Sequence, residues 1–182
     1  MAGCAMLHTL ILSQNFDNPI VTDLSVLAGF AALRKLELRN CALDNVSDLV
    51  GCAMLHTLDL SNNEMQDVSG LESCSNLHTL HLSGCYYLND VSALASCAAL
   101  HTLKLSYCDR VTNLSALAGC AMLHTLDLQD TEVADVSALA GCAKLHTLGL
   151  RQTTSRTTKC RMCRGWRVAR ISTLYTSLAA TT

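Results

Sequence analysis

Aromatic residues make up only 4% of this 182-residue chain, and there is a single proline. An interior cannot be built from so few rings. Leucine, alanine, valine and cysteine must fill it, since half of all residues are hydrophobic. Pro19 stands alone, so the rest of the backbone is free of its restriction on regular structure. No run approaches the roughly 18 uninterrupted apolar residues of a helical membrane span. The apolar start, Met1 to Leu12, lacks a basic leader region, and residue 2 is alanine, so neither a signal peptide nor a myristoylation site is expected. There is no Gly-x-Ser-x-Gly elbow, no His-Glu-x-x-His and no glycine loop to cradle a phosphate. Acid is missing from one region altogether. Residues 151–182 hold seven Lys or Arg and no Asp or Glu, whereas residues 1–150 hold all fifteen acids and only six Lys or Arg.

What the chain does have is one phrase, repeated. Leu55-His56-Thr57-Leu58-Asp59-Leu60 returns from Leu77, Leu100, Leu123 and Leu145, with degenerate copies from Leu7 and Leu33. Successive first leucines lie 26, 22, 22, 23, 23 and 22 residues apart. Pro19 falls in the longest spacer. A period in this range, with L-x-x-L-x-L followed by Asn or Cys, is the leucine-rich repeat signature. Such a solenoid grows coil by coil and needs no separate globular core.

Within one coil, alternation around Leu58 and Leu60 predicts a short strand, with Leu55, Leu58 and Leu60 directed inward. Three residues after Leu60 stands Asn63. Its counterparts are Asn15, Cys41, Cys85, Cys108, Thr131 and Thr153. A buried turn needs partners for its backbone groups. Asn both donates and accepts, Thr does part of that work, and Cys does it weakly. The return side reads Asp67-Val68-Ser69-Gly70-Leu71, with counterparts from Asp90 and Asp135. The acid caps backbone amides, Val and Leu face inward, and the segment is too short for more than a 3₁₀-like turn. The expected fold is an α/β solenoid: a curved, right-handed leucine-rich repeat coil with a parallel concave β-sheet and a 3₁₀ or irregular convex side. Residues 1–153 make about seven coils, and 154–182 form a basic C-terminal tail.

The pattern L-x-x-L-x-L-x-x-N/C-x-L-x-x-V-x-x-L-x-x-C-x-x-L, across residues 3 to about 153, resembles the 22-residue leucine-rich repeat subclass shared by bacterial internalins and an intracellular phosphatase regulator. The phrase from Val136 to Leu148 is similar to large repeat proteins of trypanosomatid protozoa. The resemblance implies protein–protein binding on the concave sheet. The family's terminal caps are not visible in this sequence, which opens in mid-repeat. A piece of a longer array is therefore one expectation, and an exposed first strand that pairs with another chain is a second.

Two ladders follow from the register. His56, His78, His101, His124 and His146 share one strand position, with His8 a further member and Arg34 the odd copy. Strands about 4.8 Å apart would set these rings in a row. A metal array would need acids or a second shell, and only threonine recurs beside them. Copying by duplication is the plainer account, and mutual repulsion on protonation is its expected consequence. Cys4, Cys52, Cys74, Cys97, Cys120 and Cys142 form a second ladder, and Cys41, Cys85 and Cys108 a third. Free cysteine behaves as a small buried hydrophobe. Unpaired inward thiols are expected to belong to a reducing, cytoplasmic or otherwise intracellular setting.

Comparison among coils marks the face that varies. Its outward positions include Arg39, Asp59, His81, Lys104, Tyr107, Asp127, Gln129 and Asp130, which are the candidate partner-binding residues. The face reads basic at Arg34, Lys35 and Arg39, and acidic at Asp127 and Asp130, a gradient that would orient a partner. Tyr107 is the one aromatic among these positions and the natural anchor. Tyr86 and Tyr87 lie on the rim. The tail's Cys160 and Cys163 supply only two zinc ligands. Val168, Ile171, Leu174 and Leu178 make a weak helical stripe, so the tail is expected either to cover the last coil as a makeshift cap or to rest unstructured on the acidic body. Equivalent residues on a ladder do not provide the distinct roles that catalysis requires. The expectation is thus a non-catalytic protein-binding scaffold without metal or cofactor. Nucleic acid is disfavoured by a body of formal charge −9. A regulatory subunit of a phosphatase or similar enzyme, and a fragment of a larger repeat protein, are the alternatives.

Overall fold

The computed structural model describes residues 6–13 and 24–150. The tail and the spacer around Pro19, with the expectations placed on them, lie outside the described residues. Among the described residues seven short strands make a single parallel sheet in chain order: β1 (Thr9–Ser13), β2 (Lys35–Arg39), β3 (Thr57–Asp59), β4 (Thr79–His81), β5 (Thr102–Lys104), β6 (Thr125–Asp127) and β7 (Thr147–Gly149). Between strands the chain returns through one 3₁₀ turn per coil, such as Ser47–Gly51 or Ser69–Ser73. The result is a curved solenoid of the leucine-rich repeat kind, with strands on one side and 3₁₀ turns on the other.

Each coil is built as the repeat dictates. Leu55, Leu58 and Leu60 are fully buried, as are their counterparts Leu77, Leu80 and Leu82. Val68 and Leu71 close the core from the return side, and Met65 fills the space between. The buried residues from Leu24 to Leu148 form one continuous cluster, while Leu10 and Leu12 of β1 are only partly covered. Ahead of four of the 3₁₀ turns, those from Ser69, Ser92, Ser115 and Ser137, a side chain takes up the first free amide. Asp67 Oδ1 accepts from Ser69 N at 3.0 Å, and Asp90, Asn113 and Asp135 repeat the bond at 2.8 Å. These are Asx turns, with the acceptor two residues upstream of the donor.

Asn63 is the best-satisfied turn residue. Its Oδ1 accepts from Cys41 N and Leu43 N at 3.0 and 3.1 Å, and its Nδ2 donates to Leu38 O and Leu60 O at 2.7 and 2.8 Å. It thereby clips coil to coil. Where Cys replaces Asn, only a thiol donor remains: Cys85 to Leu60 O at 3.3 Å and Cys108 to Leu82 O at 3.1 Å. Thr131 likewise only donates, to Leu128 O. Gly70 permits a close approach on the return side, since a Cβ there would lie 1.8 Å from Val46 O.

Candidate functional site

The register fixes the concave surface. Along its central row Glu37 pairs with Asp59, Asp59 with His81, His81 with Lys104, Lys104 with Asp127 and Asp127 with Gly149. Three candidate residues are joined directly. Arg39 Nε donates to Asp59 Oδ2 at 2.7 Å, and His81 Nδ1 lies 3.3 Å from the same oxygen. Ser61 donates both its amide and its hydroxyl to Asp59 Oδ1, at 3.0 and 2.6 Å. Burial of Asp59 opposes its charge, but the hydrogen bonds from His81 and Ser61 and the Arg39 guanidinium outweigh it. The carboxyl is held well below the usual carboxylate range. Glu37 extends the network, meeting Lys35 at 2.8 Å and Arg39 at 2.9 Å.

This network alters the charge pattern read from the sequence. Lys35 and Arg39 are engaged by Glu37 and Asp59, so the basic start of the face is largely neutralised from within. Among the described residues Lys104 makes no ion pair, although it lies half-buried between His81 and Asp127. Beside Asp127, Gly149 leaves the face without a side chain. A Cβ there would come within 2.6 Å of Asp127 Oδ1.

Tyr107, Gln129 and Asp130 lie just beyond the strand ends. Tyr107 N donates to Gln129 O at 2.8 Å, and the Tyr107 ring is half exposed. The sequence reading missed the backbone here. Asn40, Asn62, Gly84, Tyr107 and Asp130 occupy one position in successive coils, all with positive φ between 53° and 76°. Asn, Gly and Asp tolerate that left-handed conformation, but a bulky tyrosine does not adopt it without strain. The run Asn, Asn, Gly, Asp at a fixed spacing was the available signal, and Tyr107 is the exception within it. Nearby, Tyr86 and Tyr87 are about half exposed, and Arg110 stacks over Tyr87 with its guanidinium carbon 5.2 Å from the ring centre. The sequence reading did not pick out Arg110.

The histidines do form a row. The rings of His56, His78, His101, His124 and His146 stack with centroids 4.7, 4.6, 3.9 and 5.3 Å apart and planes within 13° of parallel. Desolvation, then the neighbouring imidazoles, lower the pKa of His78 and His101, with Lys144 adding to the effect on His101. Among the described residues no group of three or more His, Cys, Asp or Glu could hold a metal. The eight described cysteines are free and buried. Burial pushes the thiols up, Cys85 and Cys120 to about 11 and Cys97 to about 12.

The repeating strand, clipped turn and 3₁₀ return define a leucine-rich repeat solenoid. A family model described as leucine-rich repeats in two copies matches residues 54–96. Among solved structures, an internalin, InlF, from Listeria monocytogenes is 25% identical with a TM-score of 0.74, covering 83% of this chain and 43% of its own. Internalin C2 of the same organism is 28% identical with a TM-score of 0.62, covering 69% of this chain and 54% of its own. The functional domain of its InlJ, described as including a cysteine ladder, shares the fold at 20% identity and a TM-score of 0.65, covering 80% of this chain and 30% of that one. The chain thus spans about half or less of the length of these internalins. None of the three descriptions concerns a phosphatase regulator or a trypanosomatid protein. No curated protein matches the sequence.

Proposed function

We propose that this protein is a non-catalytic scaffold that binds a protein partner on its concave face, centred on Lys104 and Tyr107. One observation carries the reading. The core leucines and the His-Thr pair repeat from coil to coil, while the central outward row changes at nearly every strand. A constant frame with a changing surface is what recognition requires and what a purely structural repeat does not. Arg39, Asp59 and His81 supply a rigid, self-satisfied floor. Lys104 offers a cation to an acidic group of the partner, Tyr107 an exposed aromatic anchor, and Asp127, Gln129 and Asp130 a polar flank. The buried thiols favour a reducing, intracellular setting.

The test is quantitative capture from native extract by the wild type, Tyr107→Ala and Lys104→Glu, each first shown to be folded. Loss of the same partners in both variants is expected. Retention of every partner by both would refute this site. A second copy of the chain is a further candidate partner, through β1. Its Ile11 is exposed, and no charge or proline lies within His8 to Leu12 to discourage strand pairing. Sedimentation velocity over a tenfold concentration range should show association that Ile11→Lys suppresses, and a wild type monomeric throughout would exclude it.

A further inference from the structure

The stacked histidines lie on a surface strip that the proposed concave site does not use. In every coil, the segment from two residues before the histidine position to the residue after it contains no Asp or Glu. The same segments hold Arg34, Lys35 and Lys144, half of the Lys and Arg found in residues 1–150. An otherwise acidic body therefore carries one stripe free of acid. Lys35 is tied to Glu37, whereas Arg34 and Lys144 flank the row near its two ends.

The rings are also oriented. His124 Nδ1 donates to Met122 O at 2.7 Å, and His146 Nδ1 donates to Lys144 O. The Nδ1 atoms of His56, His78 and His101 lie 3.3 to 3.4 Å from the hydroxyl of the following threonine. Each ring is thus anchored through Nδ1, and no Nε2 has a hydrogen-bond partner among the described residues. Near-parallel rings stacked in file follow a line across the strands rather than converging on one centre. That suits a linear ligand and not a metal ion.

We propose that the histidine row is a second, acid-dependent binding strip that takes an α-helix with an acidic face, lying across the strands along the solenoid axis. Its chemistry is charge complementarity switched by protons. When Nε2 is protonated it becomes a donor and a positive charge, and the imidazoliums pair with the carboxylates along the helix. Glutamates ionise near pH 4.3 and imidazoles near 6.5, so both partners are charged only in a window of about pH 4.5 to 6.5. At His78 and His101 desolvation, repulsion from neighbouring rings and, at His101, Lys144 press the upper limit down, and bound carboxylates relieve the repulsion. Spacing selects the helix. Side chains on one helical face recur about every 5.4 Å, near the 3.9 to 5.3 Å between rings. Those on one face of an extended strand recur about every 6.6 Å and fall out of step. The row spans about 18 Å in four steps, which about 12 residues of helix cover at 1.5 Å each.

The test uses the full chain and a labelled helical peptide with glutamates along one face, followed by fluorescence anisotropy at pH 5.3 and pH 7.5. Binding at least tenfold tighter at pH 5.3 is expected. The change to glutamine at His78, His101 and His124 together should reduce that ratio below twofold. His101→Arg supplies a gain: Arg34 already occupies this register position, so the coil accepts it, and the variant should bind more tightly than wild type at pH 7.5. No binding at either pH, an unchanged pH ratio in the triple variant, or equal binding of an extended glutamate–threonine peptide or a sulfated polysaccharide would overturn the proposal. Tyr107→Ala and Lys104→Glu should leave this binding intact, so the two surfaces fail or succeed separately.

Discussion

Arg39 and Asp59, twenty residues apart in sequence and one coil apart in space, share a 2.7 Å hydrogen bond on the floor of the concave face. Asp59 is 5% exposed. Its carboxylate is held by donors from three coils at once. Removing it leaves Arg39 Nε and His81 Nδ1 without their acceptor, although Glu37 still meets the far end of the Arg39 guanidinium. Asp59→Ala should therefore cost about 2–4 kcal/mol, and Arg39→Ala less because that side chain is 44% exposed. Urea unfolding at pH 7 measures both. The sign with acid follows from the depressed folded-state pKa. The contribution of Asp59 is complete above the unfolded value near 3.9 and is lost as pH falls through the folded value.

Asn63 closes four backbone groups, whereas Cys108 closes one. Asn63→Ala strands two buried amides and two buried carbonyls, and should cost about 3–5 kcal/mol. Cys108→Ala should cost about 1–2 kcal/mol, chiefly from lost packing. Equal urea midpoints for the two variants would contradict the clip.

Tyr107 is held at φ 61°. Asn sits at the equivalent position in two earlier coils, Asn40 and Asn62. Tyr107→Asn should relieve strain and raise stability by about 0.5–1 kcal/mol while weakening partner capture. A variant both less stable and fully competent to bind would contradict the assignment of Tyr107 as a strained anchor.

The histidine row also bears on stability. The folded-state pKa values of His78 and His101 are lowered, so the row favours the fold above the unfolded value near 6.5 and ceases to do so as pH falls through the folded values. Between pH 7.5 and pH 5.5 the urea midpoint of the wild type should drop further than that of a protein with His78, His101 and His124 changed to glutamine. An equal drop in both would place the acid sensitivity elsewhere.

The period of the leucines was enough to set the strands, their parallel order and the 3₁₀ return, because each rests on local pattern plus stacking. Asn63 as a clip was legible too, since only one residue type there can serve both amides and carbonyls. The network around Asp59 was not. The sequence placed Arg39, Asp59 and His81 on one face but not in one hydrogen-bonded group. That grouping depends on which rotamers meet across coils, and on Ser61, an ordinary residue in the pattern. The left-handed position was written as Asn, Asn, Gly and Asp, but a tyrosine in the series disguised it. Whether neighbouring charges cancel is likewise a matter of side-chain reach, as Lys35 and Glu37 show.

The thiol columns give the molecule its own clock. The described coils carry Cys41, Cys52, Cys74, Cys85, Cys97, Cys108, Cys120 and Cys142, each sealed from solvent and kept protonated by burial. A thiol here reacts with an alkylating reagent only when its own coil opens. The order in which the eight are labelled thus records, coil by coil, the direction from which the solenoid unzips.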